Sequence, residues 1–137
     1  MSIVVPIVGK DLVLSNYLNA TLTLSLFGNN LTPDRNTTLA SITEVTGGGF
    51  VPIPLLFANW VITSGSPSRA QYNTKFTIQF TGPVGGLGTV YGYYVKDSLG
   101  NLRWLERFPT ASIPYVPING SLIKIRPRFS VASIFGD

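Results

Sequence analysis

The sequence predicts an all-β protein, an antiparallel two-sheet β-sandwich of jelly-roll-like or immunoglobulin-like order with one short helix. Three observations carry that prediction. Residues 89–96 (Thr-Val-Tyr-Gly-Tyr-Tyr-Val-Lys) and 102–108 (Leu-Arg-Trp-Leu-Glu-Arg-Phe) flank a five-residue connector, Asp-Ser-Leu-Gly-Asn. The flanks are β-branched and aromatic and the connector holds turn-forming residues, which is the pattern of a hairpin. Three further segments alternate apolar and polar residues with period two, as half-buried antiparallel strands do. Proline and glycine, at 10 and 14 residues, punctuate the chain too often for long helices.

The first alternation covers residues 20–27. It sets Leu22, Leu24 and Leu26 against Thr21, Thr23 and Ser25, and residues Gly28 to Asn30 end it. The second, residues 72–80, turns Phe76, Ile78 and Phe80 inward and Lys75, Thr77 and Gln79 outward. In the last, residues 121–131, Ile123, Ile125, Phe129 and Val131 oppose Lys124, Arg126, Arg128 and Ser130. Pro127 interrupts it, since proline has no N–H for a ladder. Residues 60–63 form a shorter strand, and residues 11–14 another. The single helix is predicted between Thr37 and the glycines 47–49, with Leu39, Ile42 and Val45 at helical spacing and Thr37 or Thr38 as cap. About seven short strands in one 137-residue domain suit a sandwich.

Chemistry is sparse. The chain has no histidine and no cysteine, which removes imidazole bases, Ser-His-Asp and Cys-His machinery, and nearly all zinc sites. Among six acids, only Glu106 lies well inside a predicted strand, flanked by Arg103 and Arg107, and an ion pair explains it. The glycines of residues 82–88 are not followed by the Lys-Ser/Thr of a phosphate loop and read as a flexible turn. The connector 97–101 brings one carboxylate where calcium loops bring three or more. Neither an enzyme nor any metal or cofactor is expected. The rings at Tyr91, Tyr93, Tyr94, Trp104 and Phe108 are read first as cross-strand pairs and core, and second as a stacking platform for sugars.

Charged residues make up 12% of the chain, against roughly 25% in an average protein. Hydroxyls and amides replace them, as on β surfaces that meet other proteins. The net charge of +4 comes in no block of like charges, which argues against a nucleic-acid partner. No run approaches the ~20 apolar residues of a membrane span, and the apolar start carries a proline and lacks a basic leader. A chain made in a cytoplasm and not exported is expected. Two apolar segments have no partner in the pattern. Residues 1–11 are read as an N-terminal interaction arm, with Ile3, Val4, Val5 and Ile7 as contact residues. Residues 109–120 form a proline-spaced loop in which Ile113, Tyr115, Val116 and Ile118 are the candidates.

Taken together, the run from Val90 to Asp97, the run from Gly100 to Phe108 and the terminal Ile-Lys-Ile-Arg-Pro-Arg-Phe-Ser of residues 123–130 resemble a pattern of small structural proteins of tailed bacteriophages. Residues 38–45, Gly48 to Phe50, and Trp60 extend the likeness, which covers residues 31–131; Leu105 departs from it, standing where small residues are usual. Such proteins include capsid cement, or decoration, proteins. The resemblance implies a virion protein on the capsid surface, a homotrimer that clamps neighbouring major capsid subunits. The alternative is a carbohydrate- or cell-surface-binding sandwich of a tail or fibre.

Overall fold

A computed structural model describes residues 6–65 and 68–130. Among these residues the fold is mostly β, with one α-helix, α1 (Ile7–Leu18), and nine strands. The strands are β1 (Leu22–Phe27), β2 (Ile53–Leu55), β3 (Trp60–Thr63), β4 (Arg69–Tyr72), β5 (Phe76–Gln79), β6 (Gly92–Asp97), β7 (Leu102–Arg107), β8 (Leu122–Ile125) and β9 (Arg128–Ser130). They make a four-stranded sheet in the order β2-β1-β6-β7, a three-stranded sheet β3-β4-β9 and the pair β5-β8. The chain divides into two compact units, one of Met1–Thr21, Leu56–Phe76 and Ile125–Asp137, the other of Leu22–Leu55 and Thr77–Lys124. No helix among the described residues is long and apolar enough to cross a membrane.

The first unit corrects one expectation: residues 11–14 are not a strand but part of α1, which also holds residues 7–11 of the segment read as an interaction arm. The helix has apolar residues on most sides and Pro6 at its N-cap, where a ring locked near φ −60° starts a helix without strain. It buries Leu14 and Leu18 completely, and Tyr17 stacks on Phe129 at 4.8 Å. The second period-two segment is also split. Tyr72 ends β4, residues 73–75 turn, and only β5 keeps the alternation, with Ile78 and Phe80 buried and Phe76 half-buried. Tyr72 organises its surroundings instead: its hydroxyl accepts hydrogen bonds from the Leu56 N–H (2.9 Å) and Asn59 Nδ2 (3.1 Å), and Trp60 meets its ring edge-on. Pro127 breaks the last alternation between β8 and β9 as expected, its carbonyl accepting from the Tyr72 N–H. Val131 lies outside the described residues.

In the second unit the central strands are buried on both faces rather than one. Leu22, Leu24 and Leu26 are inaccessible, but so are Ser25 and Phe27 on the other side of β1. Beyond β2, the edge of β1 is continued by the segment predicted as a helix. Residues 39–41 make only a single 3-10 turn, closed by the Thr38 and Ser41 side chains, and the chain then runs extended. Gly28 donates to the Thr43 carbonyl (2.8 Å) and Val45 to that of Leu26 (2.9 Å). Ile42, Thr43, Val45 and Thr46 are β-branched, so a short helix there would not recover its nucleation cost. Leu24→Ala is expected to lower unfolding free energy by about 2–5 kcal/mol, read by urea denaturation; a loss under about half a kcal/mol would contradict its burial.

The two glycine runs meet. Thr81 N–H donates to Gly48 O (2.9 Å) and Gly85 N–H to Thr46 O (2.7 Å), while Val84 bridges Gly47 and is buried. Residues 82–88 are therefore a docked loop and not a free flexible turn. At Gly48 a side chain would need φ +61° and would place Cβ 2.9 Å from the Gly82 carbonyl, so only glycine allows the approach.

The hairpin forms where predicted, β6 pairing antiparallel with β7. The Asp97 carboxylate closes its turn. One oxygen accepts from the Leu99 and Asn101 N–H groups, the other from Asn101 Nδ2 and from Arg103 Nε at 2.9 Å. The register shifts between Val95 and Lys96, leaving Arg103 unopposed and turning it toward Asp97. These bonds, the Asn101 N–H first, pull the Asp97 pKa from 3.8 to about 2. A depressed carboxylate contributes stability that is complete above its unfolded pKa and lost as pH falls through the folded one. Acid titration of the unfolding midpoint should therefore fall more steeply from pH 3.8 to about 2 in wild type than in Asp97→Asn. Equal slopes would remove Asp97 from the acid transition. Gly100 sits at φ +84° with open space around its Cβ position, so Gly100→Val is expected to cost about 1–2 kcal/mol through backbone strain alone.

Candidate interaction site

The loop after β7 belongs wholly to the second unit. Phe108 N–H donates to Tyr91 O, ending the hairpin, and a 3-10 turn, Thr110–Ser112, follows Pro109. Tyr115 then pairs with Val90 through reciprocal backbone bonds of 2.8 and 3.1 Å. Its ring lies 6.4 Å from that of Phe80, and its hydroxyl donates to the Leu122 carbonyl (3.2 Å). Pro117 is fully buried. Beyond it, Ile118 N–H donates to Ser121 Oγ and Ser121 N–H to Ile118 O, closing a turn with Gly120 at φ +88°.

Alternation follows from this pinning. Tyr115 and Pro117 point toward the sheet, so Val116 and Ile118 between and beyond them face outward, 59% and 63% exposed. Ile113 is half-buried. Of the four candidates in this loop, Val116 and Ile118 form its outer surface, whereas Tyr115 is half-buried and anchors the loop. Beside them lies an open groove of about 480 Å³ whose lining includes Phe108, Pro109, Tyr115, Leu122, Ile123 and Lys124. Leu122, 49% exposed, was not singled out from sequence. The signal existed, since it occupies the outward register of β8 together with Lys124.

Of the N-terminal candidates, Ile7 is 47% exposed on the first turn of α1. Ile3, Val4 and Val5 lie outside the described residues. The aromatic cluster divides between core and surface. Tyr93 and Tyr94 are buried, and burial, aided by the nearby Glu44 charge, pushes the Tyr94 phenol up to about 12. Tyr91 lies under the Arg107 guanidinium, 5.3 Å from its ring centre, while Arg107 also donates to the Leu31 carbonyl (3.0 Å). Trp104 and Phe108 are half-buried, and of the five rings only Phe108 lines the groove, where Tyr115 joins it. Of the two arginines flanking Glu106, Arg103 pairs with Asp97. No family model, curated protein or solved structure matches the chain.

Proposed function

We propose that this chain is a non-enzymatic virion structural protein, a cement or decoration protein that self-associates, as a trimer, and bridges major capsid subunits at the capsid surface. Its antiparallel sheets would close as a two-layer β-sandwich. The observation that carries the reading is the loop of residues 109–120, which holds Val116 and Ile118 out in water on a backbone fixed by hydrogen bonds. A preformed apolar loop loses little conformational entropy on binding, so most of its burial becomes affinity. The low charge of the chain and its lack of histidine and cysteine favour the same reading over catalysis. Repeated over a shell, contacts near the standard ~1,600 Å² would oppose outward pressure through buried area alone. The test is microscopy and thermal challenge of phage heads with and without the protein. Heads that bind it and withstand higher temperature support the proposal; a purified chain that stays monomeric and ignores heads refutes it.

The groove favours one second reading, recognition of a carbohydrate by a tail or fibre module, because Phe108 and Tyr115 offer rings beside the polar Ser112 and Lys124. A glycan array followed by Tyr115→Ala separates the two. Sugar binding lost in the variant would favour the module, and silence across the array would leave the cement reading.

A further inference from the structure

Strand β8 is paired along one edge only. Its sheet holds β5 and no third strand among the described residues, so the edge away from β5 is open. Hydrogen bonds show which groups line that edge. The Phe80 N–H donates to Ser121 O (2.8 Å) and the Gly120 N–H to Phe80 O (2.8 Å), which turns residues 120 and 121 toward β5. Successive residues of a strand aim their N–H and C=O groups at opposite edges. Leu122 therefore faces the open edge, and the Tyr115 hydroxyl meets its carbonyl there (3.2 Å). Lys124, two positions on, has the same orientation, so its N–H and C=O join the Leu122 N–H on that edge.

The groove of about 480 Å³ lies beside this edge. Its lining joins Leu122, Ile123 and Lys124 of β8 to Phe108, Pro109 and Ser112, all within one compact unit. Leu122 is 49% exposed, and Lys124 is exposed with it on the outward register. Lys124 is the one charged side chain among the described residues of the lining. The groove thus offers backbone donors and an acceptor, apolar and aromatic walls, and a single cation.

We propose that the open edge of β8 takes up an extended, carboxylate-bearing peptide segment of a partner protein as an added strand. Strand addition draws affinity from main-chain hydrogen bonds and specificity from alternate side chains. The Leu122 and Lys124 backbone would hold the incoming main chain, and Leu122 and Phe108 would take its apolar side chains. Lys124 would face a carboxylate across the strands. A second copy of β8 fits less well, because a lysine on an edge opposes pairing with its own like. A sugar also fits less well. It needs polar groups aimed at its hydroxyls, and the Tyr115 hydroxyl is already given to Leu122. The groove lies beside the outward Val116 and Ile118, but capture of a strand does not depend on their burial or on the cement reading.

The test titrates the isotope-labelled full chain with the capped peptide Thr-Val-Thr-Glu-Thr-Val-Thr, read by NMR. The Leu122 and Lys124 amide signals should shift and their hydrogen exchange should slow. Two further peptides are N-methylated at alternate residues, each blocking one edge of the incoming strand. One of them should lose binding about tenfold or more, and the other should keep it. Exchanging the glutamate for lysine should weaken binding about fivefold, Lys124→Glu should reverse that preference, and Lys75→Glu should leave it unchanged. Absence of shifts at Leu122 and Lys124, like behaviour of the two N-methylated forms, or an unreversed preference overturns the proposal. Glycans that shift Phe108 and Tyr115 where the peptides do not replace it with the sugar reading. If a thermal melt shows that Lys124→Glu impairs folding, Lys124→Gln takes its place and should abolish the preference.

Discussion

Gly92→Val is expected to leave little folded protein, and Gly92→Ala to cost about 3–5 kcal/mol, above the usual 1–3 kcal/mol of an overpacked core. A Cβ at Gly92 would fall against the Glu106 carbonyl of the neighbouring strand and 2.6 Å from two atoms of the Phe27 ring. Both obstacles are fixed. The carbonyl belongs to the β7 backbone, and Phe27 is completely buried. The sheet would have to lose either its β6–β7 register or its Phe27 packing. A total stability of roughly 5–15 kcal/mol leaves small room for that. Gly100→Ala is the control, since it meets no atom within 4 Å and bears only the strain of φ +84°. Urea denaturation of both separates a glycine required for space from one required for backbone angle. Equal losses at the two positions would show that Gly92 is not a packing glycine.

The second large effect concerns assembly. Val116→Asp with Ile118→Asp should abolish self-association and capsid attachment while moving unfolding free energy by about half a kcal/mol or less, the usual range for exposed positions. Each wild-type side chain is more than half exposed, and the bonds that fix the loop come from its backbone, Tyr115 and Ser121. A carboxylate there costs the monomer little, but an apolar interface would have to bury it unpaired. Sedimentation velocity and a capsid pull-down read the first effect, and a thermal melt the second. Normal assembly by the double variant would exclude the loop from the interface. Loss of both folding and assembly would show that these side chains serve the fold.

What could be read from sequence follows from which signals are local. The hairpin, the 60–63 strand and the break at Pro127 rest on turn chemistry and strand propensity, and all appear where expected. The helix was misplaced because both segments are ambiguous by themselves. Residues 7–18 are apolar on most sides and carry no side-chain cap, so they show neither helical periodicity nor a start signal. Residues 38–45 show both, yet their β-branched side chains find extended partners at Phe27 and Leu26. The double-sided burial of β1 was hidden for a similar reason. Ser25 and Thr23 suggest a wet face, and only the distant Glu44 and Tyr94 show that Ser25 lies under cover. At the site, the outward alternation of Val116 and Ile118 depends on Tyr115 finding Val90, a contact that no local pattern announces. Gly92 was seen as part of a motif, but its reason, the Phe27 ring, is 65 positions away.

The centre of the larger sheet joins Leu22–Phe27 to Gly92–Asp97, register partners such as Leu22 and Asp97 standing far apart in sequence. During synthesis β1 leaves the ribosome long before β6 exists. At about 5–20 residues per second the wait is roughly 4–15 s, far longer than the microseconds a hairpin needs to close. Throughout that interval a strand of leucines and phenylalanine has available along one edge only the three-residue β2 and the short segment at Thr43–Val45, and its other edge stays unpaired. Crowding of nascent chains is then a hazard at this strand above all others, and a chaperone that holds apolar segments would act there. Ribosome-bound chains halted before residue 92 should carry a protease-sensitive β1, and chains halted well beyond residue 108 a protected one.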